Sequence, residues 1–433
     1  MKKAKHFKLK RSLSLFEATL YGVGIILGAG IYVLLGAGAG IAGNAIWISF
    51  IIAAIIAAFT GLSYAELSSR YPKDAAEYVY TKKAFKKPTL AFLIEWVMVF
   101  TVIVSGATVS LGFAGYFSYL FGGSPLIIAT VLILVLSLIN YRGIKESSKF
   151  NIVSTLIETS GLIFIVVIGI FFIGKGDVDY FYSPQGTIGI LSATTLIFFA
   201  FLGFEELVNM SEETKQSRKI MPRALILSLI ISTILYILVA LSAVSVVGWE
   251  ALATSKAPLT EVVAKTVPQA TIAMSVIALF ATANTALIIF IVASRMLYGL
   301  SFNHSLPGSL KKIGNRGTPY VSVFIVMFFG LSALLIGGIK TIALLTDVGI
   351  FLVYVFVNLS LIIVRWREKK ARPTFKAPLN IGWFPLTALL GLLTSLFILF
   401  YFEPILLLYE GIVIIIGFAI YKVINHKSLR KSV

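Results

Sequence analysis

Tyr21-Gly22-Val23-Gly24-Ile25-Ile26-Leu27-Gly28-Ala29-Gly30-Ile31-Tyr32 puts four glycines into nine residues. The stretch lies inside an apolar run, residues 16–41, longer than the roughly 20 residues a bilayer crossing takes. Glycine is a poor residue for a helix interior. At membrane depth a broken helix leaves N–H and C=O groups unpaired, at several kcal/mol each, roughly. Such a break persists only where it is buried in protein or lines a polar cavity. Two readings are open here. Gly24 and Gly28, spaced as GxxxG, let a neighbouring helix approach closely. Alternatively, the glycines bare backbone groups to a ligand inside the membrane.

Composition sets the class. The 433 residues are 58% hydrophobic and only 13% charged, about half the charge of a soluble domain, with a mean hydropathy of +0.95. The apolar runs are continuous rather than alternating, which argues for membrane helices and against a β-barrel. The basic start leads into a hydrophobic segment too long for a signal-peptide core. There is no cysteine, so no disulfide, thiolate metal site or thiol nucleophile is expected. His6, His304 and His426 all fall in polar connections. No cofactor or metal site and no catalytic set is expected.

About twelve spans can be read, near 16–41, 44–69, 89–120, 124–141, 150–174, 188–210, 223–248, 269–300, 319–338, 341–365, 383–401 and 404–423. With the N-terminus in the cytoplasm, only Lys175, Lys256, Lys265 and Lys340 of the 37 Lys and Arg fall outside. That asymmetry is the positive-inside pattern, and it places both termini in the cytoplasm. The net charge of +18 then reads as a topology device and a contact with anionic lipid at the cytoplasmic face, with no nucleic-acid partner. The longest connections, 70–88 inside and 249–268 outside, are too short to fold alone.

A second interruption falls in the sixth span, Phe198-Phe199-Ala200-Phe201-Leu202-Gly203-Phe204-Glu205-Glu206-Leu207. A glycine among aromatics is followed at once by two carboxylates, which inside a membrane face a cavity or a partner. Broken helices opening each half of a ten-helix core point to a transporter of inverted repeats. The domain reading is a tail over 1–15, a first repeat over 16–174, a second over 188–365, peripheral spans over 383–423 and a tail over 424–433. The expected fold is all-α and polytopic, a 5+5 inverted-repeat (LeuT-like) core with helices 1 and 6 broken.

These motifs resemble the amino acid permeases of the amino acid–polyamine–organocation (APC) superfamily. The resemblance rests on Gly22 to Tyr32, on Tyr64-Ala65-Glu66-Leu67-Ser68-Ser69-Arg70-Tyr71-Pro72 and on Asn140-Tyr141-Arg142-Gly143. It continues through Phe199 to Glu205, Glu212-Glu213, Ile220-Met221-Pro222-Arg223-Ala224, Ser294-Arg295-Met296-Leu297-Tyr298-Gly299, Leu306-Pro307 and Thr318-Pro319. Each motif is weak alone; in this order and spacing they are jointly specific. The chain departs from the family at Ala75-Ala76-Glu77, where a glycine pair is usual, and at Gln216-Ser217, where an Asn-Pro pair is usual. Both departures concern cytoplasmic connections.

The resemblance implies a secondary carrier with an amino acid as substrate and a proton (or sodium) as coupling ion. A half-helix N-terminus offers free N–H groups to a carboxylate, and unwound carbonyls can accept from an ammonium. In this reading Gly24, Gly28, Ala29 and Gly30 hold the carboxylate. Carbonyls near Gly22, Val23, Phe199, Ala200 and Leu202 hold the ammonium. Thr101, Ser105, Phe201, Phe204, Thr282 and Asn284 are candidates for the side-chain pocket, with Phe201 also a candidate lid; for each, simple packing is the competing reading. Similar carriers of cationic substrates often have an acid near Thr101, so its absence favours neutral substrates.

Glu205 is read either as a proton-bearing gate residue or as a cap for the second half-helix. Glu66 and Glu95 are expected to pair with basic loops, and Asp347 is an outside candidate for gating. In related permeases a lysine often stands where Glu158 falls, near the sodium position of sodium-coupled relatives. Glu158 then has three readings: a proton carrier, a cation ligand with Ser or Thr oxygens, or a structural partner of a polar neighbour. A sodium symporter, an exchanger and an amine carrier remain alternatives within the fold. No filter motif, output domain, nucleophile–base set or Gly-Lys-Ser/Thr nucleotide loop supports a channel, a sensor, an enzyme or an ATP-driven pump.

Overall fold

In a computed structural model of the chain, residues 13–73, 76–142, 148–208, 210–211, 214–302, 306–314, 318–371 and 373–429 are described. They form an almost wholly helical bundle. The first half contains α1 (Leu15–Leu27), α2 (Ala29–Ala42), α3 (Ile46–Arg70), α4 (Ala76–Phe85), α5 (Pro88–Phe121), α6 (Pro125–Arg142) and α7 (Ser148–Gly169). The second contains α8 (Gly186–Ile197), α9 (Phe204–Val208), α10 (Ser217–Val247), α11 (Trp249–Thr254), α12 (Pro258–Thr266), α13 (Thr271–Phe302), α14 (Tyr320–Ala333) and α15 (Ile339–Arg367). A two-residue hairpin, β1 (Asn380–Ile381) and β2 (Phe384–Pro385), pairs Asn380 with Pro385 and Ile381 with Phe384. It precedes α16 (Leu386–Leu399) and α17 (Pro404–Leu429).

Eight helical segments among the described residues are long and apolar enough to cross a membrane. The first of them, Leu15–Arg70, is 56 residues long, more than two crossings' worth. Three shorter apolar helices, Val153–Gly169, Tyr320–Ala333 and Leu386–Leu399, lie among them. Large side chains such as Ile127, Val167, Phe328, Leu393 and Ile415 stand half or more exposed on the outer helices. A soluble protein rarely leaves so much apolar surface bare; here it is the lipid-facing surface of an integral membrane protein.

The expected spans coincide with helices, with differences at the ends. The fifth helix stops at Gly169 and gives way to turns rather than continuing to 174, and the ninth stops at Ala333. The 70–88 connection contains α4, and the 249–268 connection contains α11 and α12. Both connections are therefore helical and packed, held by buried residues such as Tyr80 and Leu259. The second family departure, Gln216-Ser217, opens α10, with Gln216 left-handed at φ 41°. Gly143, Ala75 and the Glu212-Glu213 pair lie outside the described residues.

Two interruptions lie at the centre. The helix entered at Ser14, where a capping box joins Ser14 and Glu17 (Ser14 N–H to Glu17 Oε2, 2.8 Å), runs to Leu27. It is broken by Gly28 (φ −36°, ψ −145°) and resumes at Ala29. In the sixth span α8 tightens into a 3-10 turn over Phe198–Phe201, opens at Leu202 (ψ 147°), and restarts as α9 after Gly203. Gly203 has φ +112°, a conformation costly for any residue with a Cβ. A Cβ there would also strike the Ile25 side chain. The two breaks touch each other: a Cβ on Gly30 would come within 2.5 Å of Ala200 Cα. The Tyr236 hydroxyl of α10 lies within hydrogen-bond reach of both the Ala200 carbonyl (2.7 Å) and the Ile26 carbonyl. It thus stitches the two breaks together.

Candidate functional site

A cavity opens where the breaks meet. Gly24, Ile25, Ile26, Ala29 and Gly30 form one wall, and Phe199, Leu202, Gly203, Glu205 and Glu206 form another. Thr101 and Ser105 of α5, Thr155 and Glu158 of α7, Asn284 and Thr285 of α13, and Thr346 of α15 close it, with apolar Met98, Val102, Ile288 and Ile350 between them. Its volume is about 60 Å³, several times the roughly 10–15 Å³ that admits one water.

The backbone supplies part of the chemistry. α2 starts at the cavity wall, so the N–H groups of its first turn have no intrahelical acceptor and carry the positive end of a 14-residue helix toward the space. On the other side, the carbonyls near the breaks are partly engaged. Ala200 O and Ile26 O face Tyr236, and Phe199 O accepts from Leu202 N at 3.2 Å. Each carbonyl keeps a second lone pair.

The side chains supply the rest. Glu158, buried, accepts a hydrogen bond from Asn284 Nδ2 at 3.2 Å, and its backbone carbonyl accepts from Tyr32 at 2.6 Å. Glu158 is therefore tied to α13 and to α2 at once. Glu205 accepts from the Gly203 N–H and from the Tyr354 hydroxyl, each at 3.1 Å. The Gly203 bond serves the backbone at the start of the second half-helix. Among the described residues no group of three His, Asp or Glu side chains is placed to hold a metal ion.

The structure brings Gly24, Ala29, Gly30, Thr101, Ser105, Phe199, Leu202, Asn284, Glu158 and Glu205 to the cavity. It sets others apart. Gly22 and Val23 lie in the continuous part of α1, where carbonyls serve intrahelical bonds, and Gly22 is pressed against Ser228 and Leu207. Gly28 is the break itself, its missing Cβ facing Thr285 Oγ1 at 2.9 Å. Ala200 packs against Gly30. Phe201 stacks edge-on against Tyr236 (5.2 Å between centroids) and Phe204 packs on Tyr64 and Tyr354. Both are core aromatics away from the cavity lining. Thr282 is buried, donating back to Ala278 O at 2.7 Å. Gly24 lines the cavity, and a Cβ on it would also collide with Thr155 of α7.

Several residues escape the sequence reading. Thr155, Thr285, Thr346 and Glu206 line the cavity; helical periodicity from Glu158 points to Thr155, three residues before it. Glu410 in α17 is buried, with no hydrogen-bond partner on either oxygen. Glu66 does pair as expected, with Arg70 at 2.8 Å and with Arg365. Glu95 does not meet a basic loop: it lies buried against α4, where the Tyr78 backbone donates to it. Asp347 is buried against the Phe199 backbone, behind the cavity.

A membrane-embedded helical bundle with paired breaks around a polar cavity is the architecture of a transporter, not of an enzyme. The match to known sequences agrees: residues 13–421 fit the amino acid permease family model, and the chain belongs to that family, within the APC superfamily. It is similar to the branched-chain amino acid permease BcaP of Bacillus subtilis (28% identical, covering 91% of this chain and 93% of the relative). It is also similar to the methylthioribose transporter of Bacillus subtilis (30%, covering 87% and 86%). A third relative is the cationic amino acid transporter 4 of Mus musculus (28%, covering 83% of this chain and 60% of the relative).

Proposed function

We propose that the chain is a secondary active transporter that moves small neutral amino acids across the cell membrane by alternating access, driven by protons. The observation that carries this reading is the cavity between the two broken helices, lined by the α2 N-terminus and by Glu158. A substrate carboxylate fits the free N–H groups of Ala29 and Gly30. Its ammonium fits the spare lone pairs of carbonyls around Ile25, Phe199 and Leu202. The side chain then points among Met98, Val102, Ile288 and Ile350, a lining suited to an apolar substituent. The small volume and the branched-chain relative favour a small neutral amino acid. In the full arrangement the 56-residue segment counts as two spans, and the three shorter apolar helices complete twelve. Spans one to five and six to ten form the two inverted repeats, and both termini are cytoplasmic.

Glu158 is the coupling residue in this reading. It is a buried carboxylate whose one side-chain partner is neutral Asn284, so a proton on it changes the local charge beside the α1–α2 break. The first test is a thermal-shift screen of the purified protein against the twenty standard amino acids, simple amines and methylthioribose, since a ligand of the folded state raises the melting temperature. The second uses proteoliposomes with imposed pH or sodium gradients. Uptake should rise as the outside pH falls, and Glu158→Gln should flatten that dependence while ligand binding survives. Uptake that depends on sodium and ignores pH would transfer the role of Glu158 to a cation site with Thr155 and Thr285.

A further inference from the structure

The cavity wall is joined to a second set of buried titratable groups. Glu205 accepts from Tyr354 of α15 at 3.1 Å. The Tyr354 ring lies edge-on to Tyr64 of α3, 6.0 Å between centroids, with Phe204 packed against both. Tyr64 donates to Glu77 Oε1 of α4 at 2.8 Å. Beyond Glu77 stand Glu95 of α5 and Tyr80 of α4. The second oxygen of Glu77, the Tyr80 hydroxyl and Glu95 Oε2 have no hydrogen-bond partner. All six titratable residues, and Phe204 between them, are buried.

This is a costly arrangement if it only holds α4 in place. A buried polar atom without a partner costs about 1–3 kcal/mol, and a single Tyr–Glu bond would anchor the helix without the others. Among the described residues no ion pair reaches Glu77 or Glu95. The groups facing Glu77 are Tyr64 from α3, Tyr80 from its own helix, Glu95 from α5, Tyr354 from α15 and Glu205 from α9. Asp347 of α15 faces Glu205 from behind. Burial pushes the Glu77 carboxyl up from its ordinary range, as expected of a carboxyl surrounded only by neutral hydroxyls and other acids.

We propose that Glu205, Tyr354, Tyr64 and Glu77 form a proton path from the substrate cavity to α4, on the face where α3 ends and α5 begins. The inference rests on the proton-coupled reading above. In one passage the Glu205 carboxyl gives its proton to the Tyr354 oxygen as the Tyr354 proton moves on toward Tyr64. The Tyr64 proton passes to Glu77 Oε1. Glu205 ends ionised, Glu77 ends neutral, and each tyrosine keeps one proton. The step between the two tyrosines, whose rings are in edge contact at 6.0 Å, requires the Tyr354 hydroxyl to turn from Glu205 and a water to bridge it to Tyr64. The partly exposed α4, with Lys82 and Lys83 on its outer side, is where the proton leaves.

The test uses the full-length protein in proteoliposomes and, as probe, the standard amino acid that raises its melting temperature most. Two rates are read for the wild type, Glu77→Gln and Tyr64→Phe. One is net uptake driven by an acid outside; the other is exchange with the same amino acid on both sides at equal pH. The path predicts that both variants lose net uptake by about tenfold or more while exchange stays within about threefold, because exchange needs no proton released. Tyr64→Phe keeps the ring in its aromatic contacts, so it covers the case in which Glu77→Gln fails to fold. Unchanged net uptake in a proton-driven wild type overturns the path and leaves the coupling reading standing. Equal loss of both rates assigns Glu77 and Tyr64 to structure and overturns the path. A wild type with no pH-driven uptake, or with no stabilising amino acid, overturns both readings together.

Discussion

At the residue scale, the glycines of the first span separate by what their missing Cβ atoms would touch. On Gly30 the obstacle is backbone: Ala200 Cα at 2.5 Å. On Gly28 it is chiefly the Thr285 side chain, which can turn aside. Gly30→Ala should therefore force the two breaks apart and destabilise the protein by about 1–3 kcal/mol, the usual cost of overpacking. Gly28→Val should leave melting less affected but abolish ligand binding by filling the space before Ala29. Gly299 of α13 serves as control, since nothing lies within 4 Å of a Cβ there; Gly299→Ala should be neutral or stabilising. Melting curves in detergent, with and without ligand, measure all three. Normal affinity in a well-folded Gly28→Val protein would remove the carboxylate site from this wall.

At the scale of elements, α3 and α15 are locked together by Glu66. It accepts from Arg70 of its own helix at 2.8 Å and from the Ala377 N–H at 2.9 Å, and it pairs with Arg365 of α15. The partners are unequal. Removing the carboxylate leaves Arg365 buried with only neutral acceptors such as Asn380 and Ala377, and Arg70 with only its Glu368 contact at 3.6 Å, whereas removing Arg365 leaves Glu66 still satisfied by Arg70 and Ala377. Glu66→Gln should thus cost about 3–5 kcal/mol, the range for an orphaned buried charge, and Arg365→Met clearly less. Equal losses on thermal unfolding would show the network to be symmetric and this reasoning wrong. The same elements show what sequence can carry. The spans were legible because apolar length needs no partner to be recognised, and the two breaks because glycine and acid are costly there. α4 was not, because Ala76–Phe85 is a mixed segment whose helix is made by packing on α5 and α15. Phe201 and Phe204 stayed open between pocket and packing because an aromatic beside a break faces either way; their contacts with Tyr236, Tyr64 and Tyr354 set them in the core. Glu410 carries the same signal, an acid inside an apolar span; Glu77, in a polar connection, carries none, and its burial comes from packing against other helices.

At the scale of the whole molecule, charge and apolar surface together fix how the bundle sits in a membrane. The lipid-facing side chains define a belt, and the span order read from the sequence would gather the Lys and Arg residues at one rim of it, with Lys175, Lys256, Lys265 and Lys340 on the other. Moving a basic loop across a bilayer is disfavoured, and anionic lipid at the cytoplasmic leaflet attracts each Lys or Arg near it by about 1 kcal/mol. The rim with the excess is therefore expected inside. The absence of cysteine makes this directly measurable. Thr254 ends α11 at an exposed position, its hydroxyl bonded only within its own helix. Lys311 is also exposed, in a connection expected on the cytoplasmic side. Thr254→Cys in intact cells should react with a membrane-impermeant maleimide, while Lys311→Cys should react only after the membrane is opened. Labelling of Lys311→Cys from outside, with Thr254→Cys protected, would invert the bundle. The α4 face would then look outward, and the proton path from Glu205 to Glu77 would run against the direction of uptake.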